Sequence, residues 1–142
     1  WPDAILPHSV SEHHDRSAQS HRHYFAAINE AWKNLPDQFL DEYPTPEHLR
    51  KKALIRIGLA DERSIVCSSK AEAQRIAVFM KPMDGYAVVS VREAVVRVWT
   101  AKSQSVKAMG KLEFQRSKDE VLQFVAGLIG VTTEQLGKAQ AA

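Results

Sequence analysis

The sequence predicts an α+β fold in which a small antiparallel sheet, made of a β-hairpin plus a short strand, is packed by about four helices. The segments Tyr86–Val91 and Val95–Ala101 are rich in β-branched and aromatic residues and are separated by a tight connection, which is typical of a β-hairpin. Helix-start signals occur on both sides of this hairpin. The resulting order, α-α-β-α-β-β-α, favours one α+β domain with a small sheet covered by helices.

The chain of 142 residues is long enough to form one domain with a core of its own. Residues 1–15 contain two prolines and three of the six histidines and show no periodicity, so we expect an irregular N-terminal arm. The single α+β domain is predicted over residues 16–138, and residues 139–142 are expected to form a frayed tail. Because the chain begins with Trp1 and not with Met, we expect a processed or truncated product.

The first helix is predicted over about residues 17–35 and ends before Pro36. One side of its helical wheel is apolar, and we expect this side, Phe25 included, to pack in the core. The opposite side has cations and amide donors near the helix start, where backbone N–H groups and the helix dipole favour anions. The predicted core side consists of His21, Tyr24, Phe25, Ile28, Ala31, Trp32 and Leu35.

Three local motifs predict the other main helix starts. Thr45 followed by Pro46 is typical of an N-cap and a first helical position. The capping-box spacings Ser69–Glu72 and Ser117–Glu120 predict the starts of the third helix and of the last long helix. The expected helix ends are Gly58, Met80 and Gly130.

A short strand is predicted at Arg63–Cys67, before the hairpin. Side chains alternate along a strand, so Val89 and Val91 are expected to share one face of the sheet with Val96 and Val98.

The composition is that of an ordinary soluble globular protein, with 44% apolar and 25% charged residues, and the net charge of +2 does not indicate a general nucleic-acid binder. Five acids against one base in residues 30–47, and five bases against one acid in residues 102–118, predict one negative and one positive surface. Cys67 is the only cysteine, which predicts a reducing, cytoplasmic location and a small buried side chain. No segment has the pattern of a signal peptide or a membrane span.

Two short patterns stand out along the chain. The first is an Arg-Ser, Arg, aromatic-Ala and aliphatic series at Arg16-Ser17, Arg22, Phe25-Ala26 and Ile28. The second is a serine-rich loop that leads into a helix, at Ser103-Gln104-Ser105, Met109 and Phe114. Together with the order of elements over roughly residues 15–131, they resemble phage recombination-mediator proteins of the lambda Orf (NinB) type.

The resemblance implies a non-enzymatic, homodimeric protein of phage or prophage origin, located in the cytoplasm. Such a protein would bind single-stranded DNA and assist homologous recombination, with a recombinase or a host single-strand-binding protein as a possible partner. Dimerisation would use surplus apolar surface on the first helix and the last long helix, and we expect Phe25, Trp32 and Phe124 to contribute to it.

Binding of single-stranded DNA without base readout needs a basic track and stacking surfaces. The candidate stacking side chains are Tyr24, Tyr86 and Trp99. The candidate DNA-binding residues are Arg16, Ser17, Gln19, Arg22, Lys102, Ser103, Ser105, Lys107 and Lys111.

Two other functions remain open from the sequence. The chain could be a protein–protein adaptor that never contacts DNA, or a divalent-metal nuclease. We expect no cofactor and no metal site, because His21 and His23 lie on opposite sides of a helix and no His-Glu-x-x-His motif occurs. No catalytic residue is assigned, since Cys67 has no recognisable base beside it in the sequence.

Overall fold

The computed structural model describes residues 20–136, which form six helices and a three-stranded antiparallel sheet. The α+β class is therefore confirmed. The predicted N-terminal arm and tail lie outside the described residues. In chain order, the elements are α1 (described over 20–33), α2 (Pro46–Arg56), β1 (Ala60–Val66), α3 (Lys70–Met80), β2 (Val88–Arg92), β3 (Val95–Ala101), α4 (Val106–Met109), α5 (Lys111–Ile129) and α6 (133–136).

The sheet has the order β1-β3-β2, with the predicted hairpin formed by β2 and β3. Val89 lies opposite Val98 and Val91 lies opposite Val96, so the four valines share one face as predicted. The strand expected to begin at Arg63 begins three residues earlier and pairs with the whole of β3. β1 is longer than predicted because it is extended by backbone hydrogen bonds to β3, and these bonds do not require the apolar residues from which the strand was predicted.

The apolar side chains form two buried clusters. The first lies between α1, α2 and α5 and is closed by Leu136. The second lies between α3 and the valine face of the sheet, and it includes Cys67, which is buried as predicted. The buried residues of the first cluster are Tyr24, Ala27, Ile28, Ala31, Leu35, Tyr43, Leu49, Ala53, Leu54, Val121, Val125, Ala126 and Leu136.

Two of the three predicted helix starts are confirmed. The Thr45 side chain accepts a hydrogen bond from the backbone of His48, and Pro46 is the first residue of α2. The Ser69 side chain likewise accepts from the backbone N–H of Glu72 at 3.1 Å. Gly58, with a φ of 92°, follows the end of α2, and a residue with a Cβ would be strained there.

The predicted start of the last long helix is wrong. The helix α5 begins at Lys111, after Gly110, and Ser117 is buried inside it. The Ser117 hydroxyl donates to the carbonyl of Phe114 at 2.6 Å, so it is satisfied within the helix instead of capping its end. Capping-box spacing does not distinguish a serine that caps a helix from a serine inside a helix, because the hydroxyl of the latter can bond to a carbonyl of the preceding helical turn.

The apolar contact side of α1 is narrower than predicted. Phe25 is 37% exposed, so its assignment to the core is wrong, and His21 is half-buried beside it. Trp32 and Phe124 are partly buried against the first cluster of their own molecule, so they do not provide the surplus apolar surface expected for a dimer. On the two helices expected to form the dimer contact, the exposed large apolar side chains are Phe25 on α1, at 37%, and Leu112 on α5, at 87%. No helix within residues 20–136 is long and apolar enough to cross a membrane.

Candidate nucleic-acid interface

The loop after β3 is fixed to three helices through the side chain of Gln104. Its carbonyl oxygen Oε1 accepts hydrogen bonds from the Tyr24 hydroxyl at 3.0 Å and from Arg50 Nη1 at 2.9 Å. Its amide Nε2 donates to Ser117 Oγ at 3.0 Å. Because these partners belong to α1, α2 and α5, the loop is held at the place where the three helices meet.

The guanidinium of Arg50 is held in one orientation by its neighbours. Arg50 Nε donates to Glu47 Oε2 at 3.1 Å, and Arg50 Nη2 donates to Glu47 Oε1. This pairing lowers the pKa of the Glu47 carboxyl, chiefly through the hydrogen bonds from Arg50. The side chain of Arg50 is 13% exposed, and its Cζ lies 5.4 Å from the centre of the Phe25 ring. The exposed ring is therefore packed against a fixed cation.

These residues border an open cleft of about 430 Å³ between α1, α2 and the loop after β3. Three cations line it, Arg50, Lys51 and Lys102, against one carboxylate, Glu47, which is already paired with Arg50. The other residues that line the cleft are His21, Phe25, Leu54, Ala101, Ser103 and Gln104.

The positive charge of the cleft affects His21, whose ring contacts Phe25 edge-on at 4.7 Å between centroids. The pKa of His21 is lowered by partial burial first and then by the charges of Lys118 and Arg50. The buried ammonium of Lys118 lies 4.6 Å from the Phe114 ring centre and donates to Ser20 Oγ at 3.3 Å. The two cations beside His21 make this end of the cleft positively charged.

A second aromatic side chain lies at the outer side of α2. The ammonium of Lys51 is 4.3 Å from the Tyr86 ring centre and 3.9 Å from Glu47 Oε1. The Tyr86 ring also contacts the ring of His48, with centroids 4.6 Å apart. A cation near an aromatic ring therefore occurs at two consecutive residues of α2, Arg50 and Lys51.

The structure brings together only part of the predicted DNA-binding set. Lys102 and Ser103 line the cleft, whereas Arg22, which is exposed on α1 and follows His21 in the chain, does not. Ser105 is the N-cap of α4, where its hydroxyl accepts from the backbone of Ala108 at 3.1 Å. The remaining predicted residues lie outside the cleft lining or outside the described residues: Lys107 on α4 and Lys111 at the start of α5 belong to the former, and Arg16, Ser17 and Gln19 to the latter.

The stacking residues differ more from the prediction. Tyr24 is buried, burial raises its pKa to about 12, and its hydroxyl is bonded to Gln104, so it is not available to stack on a base. Trp99 and Tyr86 are half-buried. The ring that the cleft exposes belongs to Phe25. The sequence feature that could have indicated this exposure is the position of Phe25 at the edge of the apolar stripe of α1, near His21 and Arg22.

Arg50, Lys51 and Gln104 were also missed by sequence reasoning. The two cations occur in a basic run that is typical of a solvated helix face. Gln104 lies between two serines, three residues after the end of β3, and this position alone distinguishes it in the sequence.

Within residues 20–136, no group of three or more His, Cys, Asp or Glu side chains is arranged to hold a metal ion. His13 and His14 fall outside that range. No family model, curated protein or solved structure matches this chain.

Proposed function

We propose that this chain is a non-catalytic, single-stranded-DNA-binding protein whose contact surface is the cleft at Phe25. The observation that supports this most is the exposed Phe25 ring, flanked by the fixed guanidinium of Arg50 and followed by the ammonium groups of Lys51 and Lys102. Single-strand binding uses this combination, because every base offers a face to an aromatic ring and every phosphate a charge to a cation.

The geometry favours an unpaired strand over a duplex. A base in a duplex is stacked between its neighbours, so its face can reach the ring of Phe25 only after it leaves the stack. With one base on Phe25, Lys51 and Lys102 are the lining cations that neighbouring phosphates would meet, and the exposed Arg22 of α1 would serve phosphates beyond the cleft. Arg50 contributes charge while its hydrogen bonds to Glu47 and Gln104 keep it in place.

The wider role proposed is assistance to homologous recombination in a phage or prophage, acting in the cytoplasm with a recombinase or a host single-strand-binding protein as partner. This part of the proposal rests on the resemblance to the lambda Orf (NinB) type of mediator. It is carried by the patterns around Arg22 and Gln104, the second of which lies in the loop that borders the cleft.

The direct test is a fluorescence-anisotropy titration of a labelled single strand of about 20 nucleotides and of the matching duplex, at several salt concentrations. We expect tighter binding to the single strand. If about four phosphates are neutralised, the slope of log K against log salt should be about −3, at about 0.7 per phosphate.

Two pairs of variants locate the contact. Phe25→Ala should weaken single-strand binding about 5- to 150-fold, which corresponds to about 1–3 kcal/mol of stacking. Phe79→Ala, at an exposed phenylalanine on α3, is the matched control and should bind like the parent. Lys102→Ala should reduce the slope by about 0.7, while Lys33→Ala, at an exposed lysine of α1 outside the cleft, should not change it.

Absence of binding at low salt, or unchanged binding by the Phe25 and Lys102 variants, would favour the adaptor function instead. Added magnesium tests the nuclease function, since a divalent-metal nuclease would degrade the labelled strand, whereas a non-catalytic binding protein would leave it intact.

A further inference from the structure

The outward face of α3 has a composition that does not suit a surface exposed to water. Val78 and Phe79 are 71% and 70% exposed, although both are large apolar side chains. On a helical wheel, Val78 lies at the middle of the exposed half of α3, with Lys70 and Lys81 on one side of it and Arg75 on the other. We call this set of residues, Lys70, Arg75, Val78, Phe79 and Lys81, the α3 face.

The α3 face is also shallowly concave and positively charged. Ala71, Gln74, Arg75 and Val78 border an open depression of about 430 Å³. Within residues 20–136, none of its three cations forms an ion pair. A surface with apolar side chains between unpaired cations favours a partner that is both apolar and acidic.

The same chain carries a surface of that kind between α1 and α2. We call residues 37–42 the acidic turn: it begins with a single turn of 3₁₀ helix, and it contains Asp37, Asp41 and Glu42. Leu40 is 42% exposed between them. Asp37 and Asp41 form no ion pair in the described part of the chain, whereas Glu42 lies 3.2 Å from Arg56.

The two surfaces belong to different parts of the molecule. Phe39 of the acidic turn packs against the first buried cluster, while α3 packs on the valine face of the sheet in the second. Both surfaces face solvent in one molecule: the α3 face offers two exposed apolar side chains and three cations, and the acidic turn offers Leu40 and three carboxylates, of which Glu42 is paired with Arg56.

We propose that the α3 face binds the acidic turn of a second copy of this chain, with Leu40 packed beside Val78 and Asp41 near Arg75. The contact is reciprocal in a closed pair, or repeats in one direction in a longer assembly, because it joins two different surfaces. It uses neither Trp32 nor Phe124, and it leaves the cleft at Phe25 free.

The test is sedimentation velocity of the whole chain from about 1 to about 200 µM, at about 50 mM and about 500 mM salt. We expect the mass to rise with concentration at low salt and to fall towards that of a monomer at high salt, because screening weakens attraction between exposed charges. A monomer mass over the whole range at low salt would overturn the proposal.

Charge reversal identifies the two surfaces. Arg75→Glu and Asp41→Lys should each reduce self-association at least tenfold, and an equimolar mixture of the two variants should restore it, since each reversed surface then faces a complementary one. Arg92→Glu and Asp119→Lys, at exposed positions outside both surfaces, are the matched controls and should associate like the parent.

Thermal melts of each variant establish that it is folded, and Val78→Ser provides a second probe that changes no charge. Failure of the mixture to recover association would overturn the pairing of these two surfaces, as would association that persists in all three variants. Because no DNA is present, the outcome is independent of the function proposed for the cleft.

Discussion

Replacement of Gln104 by Ala should destabilise the protein far more than replacement of an ordinary loop glutamine. The change removes the acceptor of the buried Tyr24 hydroxyl, one acceptor of Arg50 and one donor to Ser117. A buried hydroxyl without a partner costs about 1–3 kcal/mol, and a hydrogen bond to a charged group contributes about 1.5–3 kcal/mol. In this variant Arg50 retains its hydrogen bond to Glu47, and Ser117 retains its hydrogen bond to the carbonyl of Phe114. The combined loss in the free energy of unfolding should therefore be about 3 kcal/mol.

The assay is urea unfolding followed by circular dichroism, with a double-mutant cycle through Tyr24→Phe. The phenylalanine variant has no hydroxyl to leave unsatisfied, so Gln104→Ala should cost about 1–2 kcal/mol less in that background. Gln123→Ala, at an exposed glutamine of α5, is the matched control and should change the free energy of unfolding by less than about 0.5 kcal/mol. A cost below about 1 kcal/mol for Gln104→Ala, or no coupling to Tyr24, would refute the role assigned to Gln104.

Three further predictions concern stability. Phe25→Ala should cost about 1–2 kcal/mol in urea unfolding, because the ring is 37% exposed; a loss of about 3–5 kcal/mol would instead indicate a fully buried ring. Ser69→Ala should cost about 1 kcal/mol by removing the α3 cap, and Ser69→Asp should retain most of it; equal losses for both would argue against capping. The pKa of His21 is lowered by burial and by Lys118, so its neutral form is favoured in the folded state. Stability should therefore fall as the pH drops below about 6.5, towards the lower pKa of the folded state. The variant His21→Asn should reduce this loss without abolishing it, because the pKa of His48 is lowered too. Thermal melts of the parent and the variant from about pH 7 to about pH 5 measure the two losses.

The parts of the fold that the sequence predicted well depend on neighbours along the chain. The starts of α2 and α3 follow from side chains that bond three residues ahead, at Thr45 and Ser69. The hairpin follows from β-branched residues on both sides of one short turn. In each case the interaction that determines the structure lies within the segment in which its pattern is read.

The parts that were missed depend on residues far apart in the chain. Gln104 bonds to Tyr24 and Arg50, which precede it by 80 and 54 residues, and nothing near Gln104 in the sequence records those partners. Phe25 has the spacing of a core residue, but the packed stripe of α1 is narrow enough to leave its ring at the edge of the cleft. Ser117 shows the reverse error, since a correct capping spacing occurs inside a helix.

Arg50 belongs both to the interactions that stabilise the fold and to the charges that line the cleft, and this limits which variants can assign a function. Arg50 fixes Gln104 and Glu47 and also supplies positive charge to the cleft, so its removal would disturb packing and potential together. Phe25 and Lys102 differ in this respect, because their exposed parts line the cleft and neither side chain forms one of the described hydrogen bonds. A loss of DNA binding in variants of Phe25 and Lys102 that still melt cooperatively would thus report on the cleft itself. The same loss in an Arg50 variant would be equally compatible with a displaced loop.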